Sequence, residues 1–360
     1  MDALLTSLLE QCEDYGASDV HLAAEMAPRF RLRGTLVEKG GYRPFDQETV
    51  DRLAMELGLL TLPPGSPDGT ERIRRTLLAE GSLDGALTSP GGVRYRFNVF
   101  REGGRHAVAL RRLDSTFRSF DELGLPPMLE TFCDVTDGLF IVTGPTGSGK
   151  STTLATMIDR INRTRNAHIV TIEDPVEFVH RSDRCIVNQR QIGRDAPSFN
   201  NALVAALRQD PDVILVGEIR DLETIRTALQ AAETGHLVLT TLHAGDCAGA
   251  IERLVGVFPA DEQASVRQQL ALVLRGIFTQ HLVRRADGDG RVPVCELLVN
   301  NPAISNFIVT GRSQQVYSAM EVGGPYGMCT IDQSLNALLD AGLVTAETAC
   351  ALSKNPQQYR

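Results

Sequence analysis

The sequence predicts an α/β protein: an α+β module, then a parallel α/β domain, then a helical tail. Three observations predict it. A short apolar, β-branched run, Leu139–Thr143, feeds through a glycine-rich turn into a helical pattern from Lys150, with Leu154, Met157, Ile158 and Ile161 on one face. Strand and helix patterns then alternate to about Pro293, as a parallel sheet covered by helices demands. The segment before this region carries its own strand signals together with helical patterns.

In chain order, MDALLTSLLEQCEDYG reads as an amphipathic helix on Leu4, Leu5, Leu8 and Leu9. It is acidic and lacks a cleavage site, so it is not a signal peptide. Strands are predicted at Val20–Leu22, Pro28–Arg33, Thr35–Val37, Val93–Phe100 and Ala107–Leu113, with a helix at Gln47–Leu57 and a turn-rich stretch at Leu62–Gly69. These make residues 1–114 one α+β domain, and residues 115–137 a linker with a lead-in helix at Pro126–Cys133. Within residues 138–298 come strand His168–Ile172, helix Phe199–Arg208, strand Val213–Val216, helix Asp221–Glu233 and strand Leu237–Thr241. Helices covering Asp261–Leu282 and a strand at Val294–Leu298 complete the domain, and residues 299–360 form a helical region.

Composition narrows the function classes. Of 360 residues, 42% are hydrophobic and 22% charged, ordinary for a globular protein with large cores. No apolar run approaches the roughly 18 residues that span a membrane. Seven cysteines are scattered singly without a C-x-x-C, so neither a zinc site nor a disulfide framework is visible and a reducing cytoplasm is expected. A net charge of −9 disfavours a general nucleic-acid binder.

The glycine-rich turn carries the chemistry. Gly144, Pro145, Thr146, Gly147, Ser148, Gly149, Lys150 and Ser151 fit G-x-x-x-x-G-K-[ST], with Thr152 next in the helix. The pattern stands between a strand and a helix, the context of a P-loop. Glycines let backbone N–H groups approach a phosphate, and the helix N-terminus faces it. Lys150 supplies a mobile charge to the β- and γ-phosphates of ATP, and the Ser151 hydroxyl is placed to ligate Mg²⁺. A dinucleotide-binding G-x-G-x-x-G has no match here.

Three polar clusters follow strands of this sheet, where open α/β folds bind ligands. Thr171–Glu177 holds Glu173, Asp174 and Glu177; Asp212–Glu218 is an apolar strand ending in an acid, a Walker B pattern; Thr234–His243 holds His236 and His243. Hydrolysis needs a carboxylate to orient or deprotonate water and a group to neutralise charge on the transferring oxygens. Glu218, Glu173 and Glu177 are the candidate acids, against the alternative of helix caps or solvated loop charges, which Asp174-Pro175 fits better. His236 and His243 flank a strand, which separates them by roughly 20 Å at about 3.3 Å per residue, so one strand end cannot bring both to one phosphate. Arg94, Arg96, Arg101, Arg105, Arg111 and Arg112 cluster on the last two strands of the first domain, either as a solvated face or as arginine fingers reaching a neighbouring subunit's nucleotide.

The chain resembles the secretion ATPases of type IV pili and type II secretion, most closely the PilT-type pilus retraction ATPases. The likeness rests on GASDVHL at 16–22, RYRFNVF at 94–100, the P-loop, TIEDPVEF at 171–178, NQRQIGRD at 188–195, ALRQDPDVILVGEIRDLETIRTAL at 206–229 and AAETGHLVLTTLHA at 231–244. It implies a PAS-like N-terminal domain, a RecA-like ATPase domain, and a homohexamer that uses ATP and Mg²⁺ to power pilus retraction and twitching motility. The implied partners are an inner-membrane pilus platform protein and a paralogous pilus ATPase. It implies peripheral attachment at the inner face of the cytoplasmic membrane, with no nucleic-acid partner. Lys150, Ser151, Glu173, Glu177, Glu218, His236 and His243 match the family's functional positions, and Arg96, Arg101 and Arg112 fall where its inter-domain arginines lie.

Retraction is favoured because the extra N-terminal domain and four-cysteine insertion of assembly and secretion ATPases are not seen, and because GMCTIDQSL at 327–335 continues the likeness. One departure is Ser305, in Ala303–Ile308, where the family's A-I-R-N-L-I segment has arginine; a bidentate donor is lost there. The alternatives are the ATPase of another secretion or pilus-assembly system of type IVB kind, a nucleic-acid translocase, and a slow regulatory paralogue.

Overall fold

Asp2 caps the first helix by accepting a hydrogen bond from Leu4 N, and α1 (Ala3–Asp14) buries Leu5, Leu8, Leu9 and Cys12 along one stripe. There follow β1 (Asp19–Ala23), β2 (Arg29–Leu32), β3 (Thr35–Glu38), α2 (Gln47–Leu59), α3 (Gly69–Glu80), β4 (Ser82–Thr88), β5 (Arg94–Glu102) and β6 (Arg105–Arg112). The strands form an antiparallel sheet in the order β3-β2-β1-β6-β5-β4. Alternation puts Val20, Leu22, Phe30, Tyr95, Phe97, Val99, Val108 and Leu110 into one core with the apolar stripes of the three helices. The Tyr95 hydroxyl donates to the Leu9 carbonyl at 3.1 Å, which satisfies the polar end of a fully buried ring.

The computed structural model describes every residue except Arg33, Pro64, Asp114, Ser115 and Arg360. The strand end predicted at Arg33, the turn at Pro64 and the predicted domain boundary at Asp114 and Ser115 therefore lie outside the described residues. The chain divides into two units: Met1–Thr116 with Asp174–Val179 and Arg190–Ser198, and Phe117–Glu173 with His180–Gln189 and Phe199–Arg360. Whereas the sequence reading makes the first domain the continuous residues 1–114, two short later segments group with the N-terminal unit. Arg94 Nε, for example, donates to the Val176 carbonyl at 3.1 Å.

The second unit holds α4 (Met128–Cys133), β7 (Gly138–Thr143), α5 (Lys150–Thr164), β8 (His168–Glu173), β9 (Ile186–Gln191), α6 (Phe199–Ala206), β10 (Val213–Val216), α7 (Leu222–Glu233) and β11 (Leu237–Leu242). It continues through α8 (Cys247–Gly256), α9 (Gln263–Val273), β12 (Leu274–Arg284) and β13 (Arg291–Val299). The tail is helical: α10 (Pro302–Val309), α11 (Ser313–Glu321), α12 (Ile331–Asp340) and α13 (Ala346–Leu352), with short 3-10 turns at Gly324–Tyr326 and Pro356–Tyr359. The seven-stranded sheet runs β13-β12-β7-β11-β10-β8-β9. β8, β10, β11, β7 and β12 are mutually parallel, and β13 pairs antiparallel with β12. Every residue of β7, β10 and β11 is buried, the sign of a sheet covered on both faces.

One element differs in kind from the sequence expectation. The spacing predicts helix over Asp261–Leu282, but helix stops at Val273 and Leu274–Arg284 is a strand beside the P-loop strand. Leu274, Ile277, Phe278 and Leu282 fall at i, i+3, i+4 and i+8, a helical stripe in sequence. A strand buried on both faces shows no alternation to contradict that spacing. Strands β4 and β9 and helices α3 and α8 have no counterpart among the predicted elements.

Candidate functional site

Parallel pairing brings the C-terminal ends of β7, β8, β10 and β11 to one edge of the sheet. At that edge β7 passes through Gly144–Gly149 into α5, whose N-cap Gly149 is left-handed with φ 92°. Two glycines are required by what stands behind them. A Cβ on Gly144, at φ 140°, would lie 2.2 Å from the Gln280 carbonyl oxygen, and one on Gly149 would lie 2.9 Å from Gln280 Nε2. Gln280 is buried on β12 and its Oε1 accepts from Thr153 Oγ1 at 2.6 Å, tying the first turn of α5 to the sheet. Sequence reasoning missed this residue because its strand read as helix. The available signal was an amide two residues after the apolar pair Ile277 and Phe278.

Within the loop, Pro145, Thr146 and Gly147 are exposed, and the Ser148 hydroxyl is buried without a hydrogen-bond partner. Lys150 Nζ donates to the carbonyls of Gly144 and Pro145, each at 2.9 Å. Burial draws its pKa down while the Glu218 carboxylate pulls the other way. Ser151 presents an exposed hydroxyl in the first turn of α5, and Thr152 lies half-buried beside it.

Glu218 follows β10 after Gly217, whose N–H donates to the Ile172 carbonyl at 2.8 Å. Arg220 grips both Glu218 oxygens, with Nε 2.6 Å from Oε1 and a terminal nitrogen 2.6 Å from Oε2. His243 Nε2 lies 3.2 Å from Glu218 Oε1. Threonines lock this geometry: Thr241 Oγ1 donates to the Gly217 carbonyl at 2.6 Å, and Thr143 Oγ1 donates to the Ala244 carbonyl at 3.0 Å while accepting from Ala244 N at 2.8 Å. Glu173 stands at the same edge on the end of β8, its Oε1 accepting from Thr171 Oγ1 at 2.7 Å and Gln189 Nε2 at 3.2 Å. Lys150, Glu173, Glu218 and His243 thus share one edge of one sheet.

Other predicted residues stand apart. His236 precedes β11, and the register pairing Leu237 with Gly138 puts it at the opposite edge, roughly 20 Å away over six residues. Its Nδ1 lies 2.9 Å from the Ala231 carbonyl, an acceptor, so that nitrogen carries the proton. Within this chain it does not reach the P-loop. Glu177 belongs to the first unit, half-buried beside Val176.

The three arginines do not form one set. Register places Arg96 opposite Arg111, but Arg101 opposite His106 and Arg112 opposite Tyr95. Arg96 therefore projects from the face away from the helices, while Arg101 and Arg112 share the Tyr95 face. Arg96 lies 3.8 Å from Asp84. Ser305, at the departure from the family pattern, turns inward: its hydroxyl bonds to the Ala271 carbonyl at 3.2 Å and to Asn300 Oδ1 at 3.1 Å.

Among the described residues no group of three or more His, Cys, Asp and Glu side chains is arranged to hold a metal ion, and no helix is long and apolar enough to cross a membrane. Comparison with known proteins places this site in context. The family model for type II/IV secretion system proteins matches residues 91–324. The chain is 42% identical to the type IV pilus retraction ATPase PilT of Pseudomonas aeruginosa over 99% of each chain. It is 46% identical to a twitching motility protein of Neisseria gonorrhoeae over 76% of this chain and 74% of the other. The crystal structure of the pilus retraction motor PilT with bound ADP superposes with a TM-score of 0.87 at 43% identity, covering 98% of each chain.

Proposed function

The chain belongs to the type II/IV secretion system protein family, and from that premise we propose that it is a Mg²⁺-dependent ATPase, working as a homohexamer that powers type IV pilus retraction and twitching motility. The observation that carries this reading is the shared edge of Lys150, Glu218 and His243 in a chain that resembles PilT along its whole length.

The residues present fit a nucleotide. Ser148 holds a buried hydroxyl without a partner, and the backing of Gly144 and Gly149 by Gln280 leaves no room for side chains on that side of the cradle. Lys150, bonded here to two loop carbonyls, exchanges them for β- and γ-phosphate oxygens. Ser151 would hold magnesium, whose charge offsets that of the phosphate oxygens when bound; such ions take most of their ligands from phosphate and water, so no protein cluster is needed.

Glu218 orients the attacking water and takes its proton, for which Arg220 must release at least one carboxylate oxygen. His243, against Glu218, meets the developing charge on the γ-phosphoryl group. Glu173 and Glu177 serve as further acids, and His236 acts at a subunit interface. Arg96 is the arginine best placed to reach a neighbour's nucleotide, because its face is not the one that the first unit's helices cover.

The partner is an inner-membrane platform protein at the cytoplasmic face, alongside a paralogous pilus ATPase. The test is ATP turnover with particle mass by light scattering, with and without the cytoplasmic part of a pilus platform protein and with and without DNA. A six-subunit particle stimulated by the platform fragment and indifferent to DNA supports the reading. Stimulation by DNA alone overturns it in favour of a translocase.

A further inference from the structure

The loop after β11 carries His243, and the chain then runs through Ala244 and Gly245 into α8. Thr143 fixes the near end by its two bonds to Ala244. The far end is fixed from the C-terminal tail. Asp246 caps α8, its Oδ1 accepting from Gly249 N at 2.6 Å, and its Oδ2 lies 2.9 Å from Lys354 Nζ. Cys247 N, at the first position of α8, donates to Glu296 Oε1 at 2.8 Å. Glu296 is 1% exposed, its Oε2 has no hydrogen-bond partner, and Lys354 Nζ is 3.8 Å from it.

Lys354 is itself held. Its ammonium lies 4.1 Å from the centre of the Tyr317 ring, and its backbone N–H donates to Asp332 Oδ1 at 3.2 Å. The same Asp332 oxygen accepts from Ser353 Oγ at 2.6 Å, and its other oxygen accepts from Tyr317 OH at 2.9 Å. One immobilised cation therefore faces two carboxylates at the first turn of α8. The helix N-terminus favours negative charge there, but a buried carboxylate without a counter-charge is strongly unfavourable.

We propose that Lys354 is a positioning residue for ATP hydrolysis: by neutralising Asp246 and Glu296 it fixes the start of α8 and so holds His243 against Glu218. The inference rests on the reading of Glu218 and His243 as the hydrolytic pair. Without the ammonium, Glu296 keeps a single N–H partner and repels Asp246. The first turn of α8 shifts to separate them, and with only Gly245 between Asp246 and Ala244 the shift strains the two Thr143 bonds and displaces the adjoining His243.

The experiment uses the full chain, measuring steady-state ATP turnover and the affinity for a fluorescent ADP analogue. Lys354→Ala is expected to lower kcat about tenfold, the scale of a small misplacement of a reacting group, with KM for ATP and analogue affinity within about twofold. Lys354→Arg is expected to recover most of the loss. Wild-type kcat in Lys354→Ala, or a raised KM at unchanged kcat, overturns the proposal. Should Lys354→Ala fail to fold, Lys354→Gln carries the test, with lowered kcat at unchanged KM supporting it and wild-type kcat overturning it. A parent protein that hydrolyses no ATP, or a Glu218→Ala variant that hydrolyses normally, defeats the underlying reading instead.

Discussion

Replacing Gln280 with alanine removes the side-chain wall behind Gly149, while the main-chain carbonyl behind Gly144 stays. The buried amide gives Thr153 Oγ1 its acceptor at 2.6 Å and lies within 2.9 Å of where a Cβ on Gly149 would be. Losing the acceptor leaves the Thr153 hydroxyl, on a residue 1% exposed, with an unmet bond worth about 1–3 kcal/mol. The space vacated by the side chain adds a cavity cost, so a total near 2–4 kcal/mol is expected. For a unit of this size that is a fall in Tm of roughly 4–16 °C, at about 2–4 °C per kcal/mol. The assay is thermal unfolding with and without saturating ADP. The first turn of α5 loses its tie to the sheet, so the stabilisation by ADP should shrink along with the baseline Tm. Adding Thr153→Val should cost much less in the Gln280→Ala background than in the parent, because the coupled bond is already gone. A parent-like Tm with an undiminished ADP response would refute the support role.

Two further outcomes are expected. Rings of Lys150→Ala subunits mixed with Arg96→Ala subunits should regain part of the hydrolysis that each lacks alone if Arg96 acts on a neighbour's nucleotide, whereas Arg101→Ala, on the opposite face of the sheet, should not substitute for Arg96→Ala; absence of recovery at any ratio removes Arg96 from that role. His180 is buried against the Phe117 ring at 4.7 Å, and burial draws its pKa down to about 4. The unfolded chain binds a proton at this residue that the folded one refuses, so its contribution is intact above about 6.5 and erodes as pH falls towards 4, by about 1.4 kcal/mol per unit and up to ~3 kcal/mol in all. His180→Phe should flatten that decline relative to the parent in urea unfolding at pH 7, 5.5 and 4.5. An unchanged difference across the three would show that His180 is not the proton-sensitive group.

The site was legible in the sequence where its chemistry is local. Gly144–Ser151 must be contiguous to wrap a phosphate, and Glu218 and His243 each follow an apolar strand short enough to read from composition, so their common edge follows from parallel pairing alone. What the sequence hides depends on partners distant in the chain. Gln280 lies 127 residues from Thr153, and its strand mimics a helix because burial on both faces erases alternation. Whether Arg96 and Arg112 lie on opposite faces depends on the register between β5 and β6, since a one-residue slip would put both on one face. The grip of Arg220 on Glu218 is two residues away in sequence, yet only the backbone after Gly217 decides that the side chains meet.

The most direct test of the central claim compares Glu218→Ala with Lys150→Ala for nucleotide binding and single-turnover hydrolysis. On the proposed mechanism the two residues have different jobs: Lys150 would hold phosphate and Glu218 would serve the chemical step. Lys150→Ala should bind no nucleotide, and Glu218→Ala should bind ADP and ATP as the parent does while the hydrolysis rate falls on the order of 10²–10³-fold. Parent-like hydrolysis by Glu218→Ala, or tight nucleotide binding by Lys150→Ala, would contradict the account.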